Sequence, residues 1–416
     1  MLVMNILISK SNVHWKTDNM KQPPKKFMMW LPCIGLGDIG GKKNKNSNNV
    51  LFSVVLRCFL PILISTFLLT GCSISIPKSL IFSEEIDLND SIALLVVNNS
   101  LICYKEIAVS NEQSLPDFEY FVVDLDSMEW NSLGIIKKPS TSSGDVLYAP
   151  DGNFYLSYQT ASHPVALYKL DISSKDINLV YESKSSLPFQ FLSILDEDNL
   201  VLFEPDSTDE GYVYRVIKYH LSTEKTDVVY KLAVTKDGDE VINSAFGHNG
   251  KIYCLISTIG GDYRIDVLNN DGSIDRTIHL DSDILREASS AHGTEYGIWR
   301  MYITDDIAWF KTLANTVAPF SLSTGSLCGE ILKSYVIDVN LSNPKLSNTL
   351  FHRNNKSEII MFANKNGTLE HCNFTIEKDG KKVLLFDAYH DDSQNKICVI
   401  QKNDDGNTRM LMYELK

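Results

Sequence analysis

Five residues in one short stretch could do chemistry together. His292, Glu295, Tyr296, Trp299 and Arg300 fall within nine positions, inside the segment from Asp281 to Tyr302. The rings of Trp299 and Tyr296 can stack on a sugar or peptide ring, and Arg300 and Glu295 can fix its polar groups. A plainer reading has Trp299 and Tyr302 opening a packed strand, with His292 simply solvated. Asp206, Asp209 and Glu210 form an acidic group whose oxygens could ligate Ca²⁺, but the spacing lacks the Asp/Asn, Gly and final Glu order of a calcium loop. No metal site and no cofactor is expected. The chain has no GxSxG nucleophile turn, no HExxH zinc pair and no Gly-rich phosphate loop. Carboxylates converging from distant segments, such as Glu204, Asp262 and Glu295, would instead suit glycoside chemistry.

Cys72 carries a different chemistry. It ends the tetrapeptide Leu69-Thr70-Gly71-Cys72, after an apolar run from Phe59 to Leu69 and before a polar, strand-rich region. Thr70 and Gly71 are small enough for a peptidase pocket, and a thiol at a new N-terminus can carry a thioether-linked diacylglycerol. These residues resemble the lipobox of bacterial lipoproteins. The resemblance implies cleavage before Cys72, acylation of its thiol and anchoring at the extracytoplasmic face of the cell membrane. Two acyl chains, burying methylenes at about 0.8 kcal/mol each, meet the two-signal requirement for stable attachment. The alternative is an uncleaved transmembrane helix from Val50 to Thr70, with Arg57 inside it.

Signal peptides run to about 15–30 residues, whereas 71 residues precede Cys72. A start at Met29, or near Val50 or Leu51, gives a more ordinary leader, with Lys42, Lys43, Lys45 and Arg57 as a positive flank. Residues 1–71 are thus read as leader and signal peptide, 72–78 as the lipidated N-terminus and a short tether, and 79–416 as the folded domain.

Removing the leader sharpens the charge. It holds nine of the 39 Lys and Arg and two of the 52 Asp and Glu, leaving 30 basic and 50 acidic residues, a net of −20. Such a surface repels nucleic acid and favours solubility beside a membrane. Five cysteines follow Cys72, an odd number with no close spacing, so neither a disulfide framework nor a zinc site is indicated. Cys103, Cys254 and Cys398 each sit mid-strand in apolar runs and read as core.

The elements that must position these residues repeat. From Ser91 onward, short alternating runs are broken by Asn, Asp and Gly, with almost no helical period. A turn followed by an apolar strand recurs seven times: before Leu101, Phe154, Leu200, Ile252, Ile307, Ile359 and Ile397. Each is followed by a second strand ending on an aliphatic residue and then a polar one, at Asp126, Asp171, Ser222, Asn269, Ser323, Glu377 and Lys416. The intervals between those ends are 45, 51, 47, 54, 54 and 39 residues. A period of about 40–50 residues with some four strands per unit is the signature of a β-propeller. The last copy stops at Lys416 after its third strand, and the extended stretch from Ser79 to Leu88 is available as the fourth. Pairing the two ends would remove an open edge.

The expected fold is therefore all-β: a β-propeller of seven four-stranded blades closed by an N-terminal strand. It resembles propellers of the WD40, YVTN and quinoprotein-like sort over residues 79–416, although the Trp-Asp pair of WD40 blades and the paired glycine of kelch blades are absent. In such rings, loops joining second to third strands and loops joining blades share one face. Here the former include Tyr158 to Pro164, Glu204 to Tyr212 and Ser257 to Tyr263. The latter include Ala233 to Glu240, Asp281 to Tyr302 and Lys333 to Lys345. The expected function is a membrane-anchored, monomeric module that binds or scaffolds an envelope protein or a glycan and no nucleic acid. The rival is an extracytoplasmic carbohydrate-active hydrolase or lyase, with acids from several blades at the channel.

Overall fold

Short apolar runs separated by Asn, Asp and Gly turns become seven four-stranded antiparallel sheets. A computed structural model of the chain describes residues 79–107, 116–137, 139–160, 166–183, 185, 191–235, 240–258, 261–291, 294–295, 297–365, 368–402 and 407–416. Cys72, the tether and the preceding segment lie outside the described residues. So do His292, Tyr296 and the side chain of Glu295.

Each sheet is one blade of a propeller. The first strands of blades 1 to 7 are Ile92–Val97, Pro139–Tyr148, Leu192–Asp196, Glu240–His248, Ile298–Thr304, Val336–Val339 and Asp387–Asp391. They surround the central channel, with consecutive ones in contact from blade 1 to blade 5 and from blade 6 through blade 7 back to blade 1. Blade 7 completes itself with the N-terminal strand Leu80–Asp87, which pairs antiparallel with Thr408–Leu415. The expected closure is therefore present.

Burial explains why the second strands read as continuous apolar runs. Leu200, Val201 and Leu202 in Asn199–Thr208 are fully buried because both faces of the strand meet neighbouring blades. Outermost strands are wet by contrast, and Ile274–His279 exposes all but Ile278 and so tolerates Asp275, Arg276 and Thr277. Turns between first and second strands use residues that accept positive φ, as at Asn98 and Asn99 (49° and 59°) and at Asn249 and Gly250 (49° and 72°). Gly272 turns the hairpin between the outer strands of blade 4. A Cβ there would lie 1.8 Å from the Val229 carbonyl oxygen, and Gly272 N donates to the Asn269 carbonyl oxygen to close the turn. Cys103, Cys254 and Cys398 are buried between blades, as their setting implies, and burial pushes the Cys103 and Cys398 thiols up to about 12.

Two connectors depart from expectation. The stretch from Asp281 to Tyr302 contains a helix, Ser282–Ala288, capped by Asp281 and burying Leu285 and Ala288, and then a two-rung hairpin, Ser290–Ala291 with Thr294–Glu295. The stretch from Lys333 to Lys345 is not a simple link between blades, because it holds the four-residue inner strand of blade 6, Val336–Val339. Blade 6 then continues through Thr349–His352, Glu358–Lys365 and Thr368–Thr375. Ile359 to Phe362 therefore lie on its third strand, one place later than the repeat suggested. The long loop between its first two strands displaced the pattern.

That loop has a structural job. Residues 340–345 line two clefts together with the turns that end the inner strands of the other six blades. They border Val97 and Asn98 of blade 1, Tyr148 of blade 2 and Asp391 of blade 7 on one side. On the other side they border Asp196 of blade 3, His248 of blade 4 and Asp305 of blade 5. Ser342 Oγ accepts from Tyr148 N at 2.9 Å, and Asp305 Oδ2 accepts from Leu346 N at 3.0 Å. The loop lies across this mouth of the channel and leaves a polar cleft of about 380 Å³ and another of about 410 Å³ beside it.

Candidate functional site in the central channel

Arg300 is the best-defined polar group in the channel. It stands on the inner strand of blade 5, just after a bulge that shifts the register between Ile298 and Arg300. Its guanidinium lies between two rings, 4.7 Å from the centre of Phe191 and 4.6 Å from that of Tyr302. Nη1 donates to Asp145 Oδ1 on the inner strand of blade 2, and the other oxygen of Asp145 accepts from Leu192 N of blade 3 at 2.8 Å. One side chain thus ties three blades together across the ring. Burial alone would lower the Arg300 pKa, but Asp145 and the Tyr302 hydroxyl outweigh it and the guanidinium is held more firmly charged than usual.

Trp299, one residue earlier, points differently. It is 38 % exposed and meets Phe191 edge-on, with ring centres 6.4 Å apart at 79°. Phe191 therefore carries Trp299 on one side and Arg300 on another. Of the five residues singled out from sequence, the structure brings these two together around a third, Phe191. The sequence offered no signal for Phe191 or Asp145 as partners, whereas Tyr302 lies two residues further along the same strand.

A second group lines the same channel. Asp338 on the inner strand of blade 6 keeps some accessible surface toward the lumen but is enclosed by protein, and this burial, reinforced by Asp387, pushes its carboxyl up to about 8. The His390 backbone N–H works against that shift. Around Asp387, His352 Nε2 lies 3.4 Å from Oδ1, and Tyr389 Oη lies 3.1 Å from both Oδ2 and the Ala93 carbonyl oxygen. Burial drives the Lys311 pKa down, with Arg300 adding to the effect and Asp387 opposing it.

Glu204 and Asp262, picked out from sequence, are elsewhere. Glu204 is 3 % exposed and accepts from Tyr181 Oη at 2.6 Å, Ser183 Oγ at 2.7 Å and Arg215 Nη1 at 2.9 Å. Arg215 also pairs with Asp206 at 3.2 Å, and the loop expected from Glu204 to Tyr212 shrinks to the turn Asp209-Glu210 between long strands. Glu204 is thus a structural anion, and Asp262 is exposed. Among the described residues no group of three or more His, Cys, Asp or Glu is arranged to hold a metal ion.

No family model matches the sequence, and no curated protein is similar to it. Several solved structures are similar at low identity. BamB from Moraxella catarrhalis is similar at 11 % identity and a TM-score of 0.43, covering 81 % of this chain and all of its own. A chain of the mitotic checkpoint complex is similar at 8 % identity and 0.46, over 83 % of this chain and 98 % of its own, and U3-55K at 10 % and 0.45, over 80 % and 99 %.

Proposed function

We propose that the protein is a lipid-anchored β-propeller on the extracytoplasmic face of a bacterial cell membrane, and that it acts as a binding or scaffolding module for an envelope protein or a glycan. The anchor is supported by Leu69-Thr70-Gly71-Cys72 and the apolar run before it. The observation that carries the binding reading is the meeting of exposed Trp299 and buried Arg300 on Phe191, which joins an aromatic surface to a fixed charge. Cys72→Ala tests the anchor: it should abolish palmitate labelling and leave an uncleaved precursor, and undiminished labelling would remove the lipid from this reading. Pull-down from membranes with and without Trp299→Ala tests the module. A partner retained by the parent chain and lost from the variant is expected, and equal recovery would move the binding surface elsewhere.

Asp338 beside Asp387 favours a second reading, a carbohydrate-active hydrolase or lyase. A carboxyl held protonated near neutral pH is what a general acid requires. Release of reducing ends from envelope glycans, abolished by Asp338→Asn, would establish it. No release from any glycan would dismiss it.

A further inference from the structure

Arg300 has an edge that makes no hydrogen bond within the fold. The residue is 6 % exposed, and its Nε and Nη2 are buried with no hydrogen-bond partner. These two atoms form one edge of the guanidinium plane, with two parallel N–H bonds at the spacing of the two oxygens of a carboxylate. The rings of Phe191 and Tyr302 pack against the guanidinium, 4.7 Å and 4.6 Å from its carbon, and Nη1 is committed to Asp145, which restrains the fork. Buried donors of a charged group are rarely left unpaired unless something else completes them.

We propose that the Nε/Nη2 edge of Arg300 recognises the carboxylate of a small ligand bound in the central channel. This deepens the binding-module reading and rests on it. A singly charged, planar group suits the site better than a phosphate. Asp145 already balances the guanidinium, so a dianion would leave excess negative charge in the site. Lys311, which interacts with both Arg300 and Asp387, adds positive charge nearby. The exposed ring of Trp299, held on Phe191, is placed to cover the body of the same ligand. Because residues 340–345 lie across one mouth, the ligand reaches Arg300 from the opposite one, where Leu192 and Ile298 begin their strands.

Two sources offer this chemistry, an acidic sugar and the C-terminal carboxylate of a peptide. The full chain in detergent would be titrated calorimetrically with D-glucuronate and with N-acetyl-L-alanine, and with D-glucose and N-acetyl-L-alanine amide as neutral counterparts. At least one carboxylate should bind, its neutral counterpart about tenfold more weakly or worse, and Arg300→Lys, which keeps the charge but lacks the fork, should lose a similar factor. The ¹⁵Nε–H resonance of Arg300 in the parent chain should shift on saturation, a readout that needs no variant to fold. Binding of one carboxylate alone names the source. Failure of both to bind, binding with an unmoved Arg300 resonance, or equal binding by Arg300→Lys would overturn the proposal. If the carboxylates fail while membrane pull-down still yields a partner, only this inference falls.

Discussion

Ser79 and Lys416 exchange both backbone hydrogen bonds, each 3.0 Å long, so the two ends of the ring are joined by one rung of a β-ladder. The N-terminal strand is therefore a working part of blade 7. Ile86 on that strand is 2 % exposed, pairs with Met410 and packs with Leu88, Cys398 and Met412, whereas Ile81 on the same strand is 46 % exposed. Ile86→Ala should destabilise the fold by about 2–4 kcal/mol in urea unfolding. Ile81→Ala should change it by less than about 0.5 kcal/mol. Equal effects would mean that the strand does not close the ring as described.

Glu204 and Arg215 offer a test of buried charge. Arg215→Ala leaves Glu204 with two hydroxyl donors and no cation in an interior site, which should cost about 3 kcal/mol. Adding Glu204→Gln to that variant should restore part of the loss, because the uncompensated charge is then gone. A double variant no better than the single one would show that packing, not charge, dominates at this position.

Asp338 should make stability fall as pH rises. Its folded pKa, about 8, is above its unfolded value of 3.8, so between about pH 4 and pH 8 the folded state binds more protons than the unfolded one. The contribution is fully present below pH 4 and is lost as pH climbs toward 8, with a slope of at most about 1.4 kcal/mol per pH unit. Water in the channel screens the carboxyl and makes the real slope shallower. Urea unfolding of Asp338→Asn across this range should show a flatter profile than the parent. An unchanged profile would place the carboxyl in an ordinary environment.

His390 should act in the opposite direction. The ring is 4 % exposed, and burial lowers its pKa despite the opposing pull of Asp392 and Asp391. The stability it contributes is present above the unfolded value of 6.5 and is lost as pH falls below it. His390→Gln should weaken the acid-side loss in thermal melts between pH 7 and pH 5, and a variant as acid-sensitive as the parent would contradict this.

Gly272 tests the turn geometry. With φ at +84° and the Val229 carbonyl oxygen where a Cβ would go, Gly272→Ala should cost more than the roughly 1 kcal/mol of an ordinary left-handed substitution. Gly250, also at positive φ but with open space around it, should show only the smaller cost in the same urea measurement.

Strand identity was legible in the sequence because it depends on residues within about ten positions of one another. Blade number and the closing strand followed from counting the repeats and finding the last one a strand short. Leu101, Leu200 and Ile252 sit in apolar runs that only a strand buried on both faces needs, and Asn98-Asn99 and Asn249-Gly250 turn the chain with their own backbone preferences. Blade 6 escaped this logic. Its inner strand, Val336–Val339, is too short to carry a period, and the loop after it is held in place by Tyr148 and Asp305 of other blades. Arg300 could be singled out by type and neighbourhood, but its setting could not. Asp145 is 155 residues away, Phe191 comes from another blade, and Asp338 and Asp387 stand on the inner strands of neighbouring blades. Local preference and turn chemistry decide which segments become strands. Which charges face one another across a channel is decided by where ring closure delivers them, and no spacing along the chain encodes that meeting.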